Sequence, residues 1–137
     1  MPDYVLLVAR TLGALLAGVF FAYAVSVMPA LRAMDDDTFL RVMTKLNVVI
    51  VNPVFLAVFL GAPLTAAAVL AWERTAWAVA GAALALVTLL VTVVFNVPKN
   101  NALADGGQRE SFERPWIRWN VVRTLTGTAS VVCLLSV

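Results

Sequence analysis

The stretch WAVAGAALALVTLLVTVVFNV (residues 77–97) decides the fold class of this chain. It contains no charged residue, and its one amide side chain, Asn96, lies near its end. A helix needs about 20 predominantly apolar residues to cross the hydrocarbon core of a bilayer. The stretch therefore predicts a transmembrane helix, and Ala78, Gly81, Ala82 and Ala85 offer a small-residue surface for close helix packing.

The composition of the whole chain agrees with a membrane protein. Its 137 residues are 62% hydrophobic and 13% charged, compared with roughly 45–50% and about 25% in soluble domains. The length suits a single domain over residues 1–137. The net charge is +2, and the basic residues form no continuous stripe, so we expect no nucleic-acid partner. Without histidine, histidine-ligated metal sites are excluded, and the carboxylates of the loops suggest no other metal site.

Three further apolar stretches predict three more spans. The four helices are expected at about residues 4–31, 36–72, 77–97 and 115–137, which gives an all-α integral membrane four-helix bundle in up-down order. The first is expected to be retained, because the N-terminus lacks the basic run of a signal peptide. Pro53 and Pro63 should each kink the second helix or end it, and Pro115 suits the first turn of the fourth.

The second helix should begin with an amphipathic segment. Asp35 to Asp37 suit a helix N-terminus, and the apolar residues that follow recur at helical spacing. These are Phe39, Val42, Met43 and Leu46.

Loop charges predict the orientation. Seven basic residues lie between the first and second or the third and fourth helices, against two on the other side. The seven are Arg32, Arg41, Lys45, Lys99, Arg109, Arg114 and Arg118. Because cytoplasmic loops carry an excess of Lys and Arg, both termini are expected to be extracytoplasmic, in a bacterial inner membrane.

Polar side chains gather at the predicted cytoplasmic ends of the helices. Polar groups at membrane depth usually face a bundle interior and mark a functional site. Trp116, Asn120, Arg123 and Gly127 form one helical stripe, and Asn96 and Asn100 share a face if the third helix continues past Pro98. Trp119 is also four residues from Arg123, so the guanidinium could stack on its indole. The candidate site residues are Tyr23, Asn47, Asn96, Asn100, Trp116, Trp119, Asn120 and Arg123.

A purely structural interpretation remains open for each residue alone. Asparagines hydrogen-bond between helices, arginines lie at the interface, and tryptophans form aromatic belts. For the whole cluster, a ligand pocket is favoured, because fixing the register of the helices needs fewer polar groups. Tyr, Asn, Arg and Trp side chains can bind a flat polycyclic phenol or quinone, and fixed donors with a positive charge can stabilise an oxyanion.

Three segments resemble the anthrone oxygenase-like family of small four-helix membrane proteins. They are GVFFAYAVSVMPAL (residues 18–31), NVPKNNAL (residues 96–103) and WIRWNVVRTLTG (residues 116–127). The resemblance implies that Asn96 and Asn100 match an asparagine motif and that Trp119, Asn120 and Arg123 match a tryptophan–asparagine–arginine motif. Many relatives carry a histidine near the proline that ends the first helix, where this chain has Val-Met-Pro at residues 27–29.

The resemblance implies an oxygenase that converts anthrones to anthraquinones with molecular oxygen and needs no conventional cofactor. Asn96, Asn120 and Arg123 would polarise a carbonyl or phenolate, while Trp116 and Trp119 stack on rings. Asn47, Asn100 and Tyr23 would complete the binding site for a lipophilic small molecule within the lipid bilayer. Two alternatives stay open: a non-catalytic subunit that binds a lipid, quinone or anion, and a structural subunit or homo-oligomer.

Overall fold

The computed structural model describes residues 3–137, and within that range it contains five helices and no strand. The helices are α1 (Asp3–Arg32), α2 (Asp36–Val49), α3 (Pro53–Val69), α4 (Ala76–Ala104) and α5 (Arg109–Leu135). Met1 and Pro2 lie outside the described residues. Both belong to the predicted domain and to the N-terminus that lacks a basic run. The all-α prediction is confirmed for the described residues.

Four of the helices pack around a shared core. α5 packs along α1 and α4, and α3 packs along the same two helices. The small residues of α4 permit this approach: Ala78 is completely buried, and the Ser130 hydroxyl donates a hydrogen bond to the Gly81 carbonyl at 2.7 Å. A Cβ added to Gly81 would lie 2.9 Å from Leu134. The predicted packing surface of α4 is therefore used within the chain.

Membrane spans are supported for two or three segments. Among the described residues, α1 and α4 are long and apolar enough to cross a bilayer, and α2 with α3 forms a third candidate if the bent pair counts as one span. α5 has 27 residues but is not among them. Charged residues in its first turns, together with Asn120 and Arg123 farther along, lower its hydropathy.

The predicted segment over residues 36–72 forms two helices, with the interruption just before Pro53, where a kink or an end was expected. The helical conformation is interrupted at residues 50–52, which we call the elbow. The helices α2 and α3 are bent relative to each other by 70° at this point. Asn52 takes an extended conformation, as a residue before proline prefers, and its Oδ1 accepts a hydrogen bond from the Phe55 amide at 3.0 Å. Pro53 occupies the first turn of α3, whereas Pro63 lies inside α3 without ending it.

α2 packs across one end of the other helices as an amphipathic helix. Phe39 and Met43 are completely buried against α1, α4 and α5, which confirms the predicted apolar face. Asp35 caps α2, because its carboxylate accepts hydrogen bonds from the Thr38 amide at 2.9 Å and the Thr38 hydroxyl at 2.8 Å. These bonds, the amide first, hold the pKa of Asp35 below its ordinary value.

Each long apolar helix contains one π-helical turn just before a proline. The turns span Tyr23–Val27 in α1 and Thr92–Asn96 in α4. In each, the residue before the proline donates its amide to the carbonyl five residues back: Met28 to Tyr23, and Val97 to Thr92. Proline lacks an N–H and clashes with the carbonyl four residues back, so a wider turn lets the helix continue. α4 consequently passes Pro98 and ends at Ala104, rather than at residue 97 as predicted.

α5 begins at Arg109, six residues before Pro115, so the prediction that Pro115 starts this helix is wrong.

Arg109 holds three helix ends together. Its guanidinium donates to the carbonyls of Arg32 at 3.0 Å and Met34 at 2.8 Å, and to the carboxylates of Asp36 at 3.0 Å and Glu113 at 2.8 Å. These bonds, the Glu113 bond first, raise the pKa of Arg109 above its ordinary value. We call this contact set the Arg109 latch.

Candidate functional site

A cavity of about 290 Å³ lies where the elbow meets both π-helical turns. Its volume is just below the roughly 300–1,000 Å³ typical of ligand sites. Five of the eight predicted site residues line it: Tyr23, Asn47, Asn100, Trp116 and Arg123. The remaining lining residues are Val19, Phe20, Ile50, Val51, Phe55, Leu56, Phe59, Thr92 and Val97. The cavity is therefore mostly apolar and aromatic, and its few polar side chains come from α1, α2, α4 and α5.

Arg123 is the charged group of the cavity. Arg123 is 7% exposed. Its guanidinium carbon lies 4.1 Å from the ring centroid of Phe20 and 5.0 Å from that of Trp116. Its Nε donates to Asn120 Oδ1 at 2.9 Å. Within residues 3–137, no carboxylate forms an ion pair with Arg123, and neither Nη atom has a protein hydrogen-bond partner. The cavity thus presents a buried cation with unused donors.

Two predicted catalytic asparagines form hydrogen bonds to neighbouring helices or residues and do not line the cavity. Asn120 is 1% exposed, and its Nδ2 donates to the Phe20 carbonyl at 3.1 Å while its Oδ1 holds Arg123. Asn96 is completely buried, and its Nδ2 donates to the Trp116 carbonyl at 3.3 Å. Its Oδ1 has no partner in the described chain. Asn120 thus contacts the Arg123 side chain, whereas Asn96 contacts the backbone of Trp116.

Trp116 forms the aromatic wall beside the guanidinium. Its Nε1 donates to Asn100 Oδ1 at 2.8 Å, and its ring centroid lies 5.7 Å from that of Tyr23. Because Asn96 and Asn100 both hydrogen-bond to Trp116, the predicted shared face of these asparagines is confirmed. The predicted stripe on α5 is confirmed as well, since Trp116, Asn120, Arg123 and Gly127 are all buried.

The predicted stacking of Arg123 on Trp119 is wrong. Trp119 instead stacks on Phe95 of α4, with ring centroids 3.6 Å apart and planes at 8°, and it is not a lining residue. Spacing of four residues allows contact on a helix but does not select between two tryptophans. The rotation of α5 against α1 and α4 directs the guanidinium toward Phe20 and Trp116.

A family comparison bears on the same segments. The family model described as anthrone oxygenase matches residues 5–133 of the 137-residue chain. The chain belongs to the anthrone oxygenase family. No curated protein and no solved structure matches it. In this member of the anthrone oxygenase family, all three segments that carry the resemblance supply cavity residues, among them Tyr23, Asn100 and Arg123.

Several residues that line the cavity of this anthrone oxygenase family member were not predicted from the sequence. Phe20 lies three residues before Tyr23 and shares its face, and Thr92 precedes Asn96 and Asn100 at intervals of four. Both could have been found by extending these stripes. Ile50, Phe55 and Phe59 carry no such signal, because the elbow brings them to the cavity.

The cavity of this anthrone oxygenase family member opens through an apolar rim. Val51 is 62% exposed, and Leu56 and Val97 are each 39% exposed, although all three line the cavity. The lining contains no carboxylate. Within the described residues, no three or more Cys, Asp or Glu side chains form a group that could hold a metal ion.

Proposed function

We propose that this protein is an integral membrane oxygenase that acts on an anthrone-type or similar lipophilic polycyclic ketone. α1, α3, α4 and α5 form a four-helix bundle in up-down order, and α2 lies along the cytoplasmic face of a bacterial inner membrane, with both termini extracytoplasmic. Three observations support this arrangement: the apolar length of α1 and α4, the packing of α5 between them, and the basic residues around α2.

The observation that carries the proposal is the unpaired guanidinium of Arg123 in an aromatic cavity. A buried cation without a carboxylate is costly, so its retention suits a site in which the ligand supplies the negative charge. The Nη atoms present hydrogen-bond donors, and Trp116, Phe20 and Tyr23 present ring surfaces. A flat aromatic molecule with one anionic oxygen satisfies both features.

The chemistry follows from stabilising that oxygen. When the methylene carbon of an anthrone loses a proton to water, the charge moves onto the carbonyl oxygen, where Arg123 stabilises it. The resulting carbanion bonds to molecular oxygen and forms a peroxide, which takes up a proton. Loss of water from the hydroperoxide breaks the O–O bond and the remaining C–H bond and leaves a second carbonyl. One anthrone and one oxygen molecule thus give one anthraquinone and one water.

The direct test is turnover by membranes that contain the protein. Anthrone and dissolved oxygen should disappear in equal amounts, and anthraquinone should accumulate faster than in matched membranes that lack the protein. Absorbance of the quinone and an oxygen electrode measure the two quantities. Equal rates in both membranes would reject the proposed oxygenase.

A non-catalytic binding protein for a lipid, quinone or anion is the second candidate. The absence of a carboxylate from the cavity lining favours it, because no lining carboxylate can serve as a general base. This candidate expects a lipophilic anion bound beside Arg123 without turnover. The turnover assay separates the two functions.

The exposed rim predicts entry of the substrate from the bilayer. Val97→Trp should narrow the opening between the elbow and α4, and we expect anthrone turnover at least about tenfold slower, because an indole is large relative to a cavity below the usual size of ligand sites. Val94→Trp is the matched control, since Val94 is 54% exposed on α4 but lies outside the lining. Equal slowing by both variants would argue against this route.

A homo-oligomer is proposed through α1. Thr11, Ala14, Gly18 and Ala22 are exposed along one face, and a Cβ added to Gly18 would contact nothing within 4 Å. Small residues at this spacing allow close helix approach in membranes. Native mass spectrometry in mild detergent that shows only monomers would contradict this arrangement.

A further inference from the structure

One residue that lines the cavity has a buried hydrogen-bond donor without a partner. Asn47 Nδ2, on α2, is completely buried and has no partner in the described chain. Asn47 lines the same cavity as Arg123, which comes from α5. A buried donor without a partner is unfavourable, and in a native site it calls for a ligand or water that accepts from it.

The neighbouring amides do not share this property. Asn100 accepts from Trp116, Asn120 bonds through both ends of its amide, and Asn52 caps α3. Asn96 also has one unpartnered atom, but that atom is an acceptor, and Asn96 lies outside the cavity lining. Among the lining asparagines of the described chain, Asn47 is therefore the one with a buried N–H that lacks a partner.

We propose that Asn47 donates a hydrogen bond to the oxygen that the reaction adds to the substrate. This inference rests on the oxygenase proposed above. An anthrone has one carbonyl oxygen, and its reacting methylene lies at the opposite end of the central ring. Arg123 binds the oxygen present from the start, and Asn47 binds the one that appears when the carbanion carbon bonds to molecular oxygen.

The timing of the second hydrogen bond gives Asn47 its role. The substrate has no acceptor at the methylene, so Asn47 gains a partner only as the peroxide forms. A contact that is made in the transition state and absent from the bound substrate accelerates the chemical step. The same N–H then donates to the second carbonyl of the anthraquinone, so Asn47 also favours ligands with two carbonyls.

Binding of two probes tests this inference independently of turnover. Quenching of tryptophan fluorescence would measure the affinity of 9,10-anthraquinone, and that of anthrone under nitrogen. We expect Asn47→Leu to weaken anthraquinone binding about tenfold, the effect of one net hydrogen bond. Anthrone binding should stay unchanged. Asn47→Asp keeps a polar side chain of similar size but has no N–H, and it should show the same selective loss.

The control is Asn101→Leu, which changes an exposed asparagine and should alter neither affinity. Equal weakening of both probes, or of neither, in folded Asn47 variants would overturn the inference. A selective loss without anthrone turnover by the wild type would reject the oxygenase and keep Asn47 as the site of a second carbonyl. Turnover without selective loss would support the oxygenase and reject the role of Asn47.

Discussion

Arg123→Gln is expected to slow anthrone consumption at least about 100-fold, because loss of a preorganised oxyanion donor costs about 10²–10³ in rate. Gln keeps a polar side chain but removes the positive charge that faces the cavity. Arg123→Lys should retain part of the rate, since it keeps the charge but loses the planar fork that rests between Phe20 and Trp116. The rate of quinone formation in oxygenated membranes compares the wild type with Arg123→Gln and Arg123→Lys.

The matched control is Arg118→Gln, which removes an exposed arginine from the same helix. It should turn over anthrone at the wild-type rate. A wild-type rate for Arg123→Gln would remove Arg123 from the mechanism. Circular dichroism of each variant in detergent would verify that the helices are intact.

Arg109→Ala is expected to lower the free energy of unfolding by about 2 kcal/mol, because it removes charged hydrogen bonds that are each worth up to about 1.5–3 kcal/mol when buried. The expected loss of stability is smaller than the sum of these bonds, because the Asp36 side chain is 79% exposed and water screens its ion pair. The guanidinium also lies 4.3 Å from the Phe39 ring centroid, and that contact is lost. Unfolding of the purified protein in mild detergent measures the change.

Arg114→Ala provides the comparison for the Arg109 latch, since Arg114 is an exposed arginine in the same part of α5. It should change stability by less than about 0.5 kcal/mol, as most surface substitutions do. Equal stability of the two variants would mean that the latch contributes nothing beyond a surface charge. If the Arg109 latch joins these helix ends, the start of α5 and the start of α2 should lose hydrogen-exchange protection together in Arg109→Ala.

The polar stripes show how much of the site was predictable. Residues three or four apart share a helix face whatever the helix packs against, so Trp116, Asn120, Arg123 and Gly127 could be placed together from spacing alone. The two asparagines of α4 stayed on one face because the helix continued past Pro98. The elbow was harder, since Pro53 could either kink the helix or end it, and in the structure Asn52 caps a new helix that begins at Pro53.

The sequence by itself determined the helical class, the apolar length of α1 and α4, and the faces on which the polar residues lie, because these follow from composition and from the period of the helix. Only the tertiary structure decided that Arg123 rests on Phe20 and Trp116, that Asn47 keeps an unused N–H, and that Arg109 joins three helix ends. These contacts join residues far apart in the chain, such as Phe20 and Asn120. They depend on how each helix is rotated and tilted against its neighbours, which local spacing does not specify.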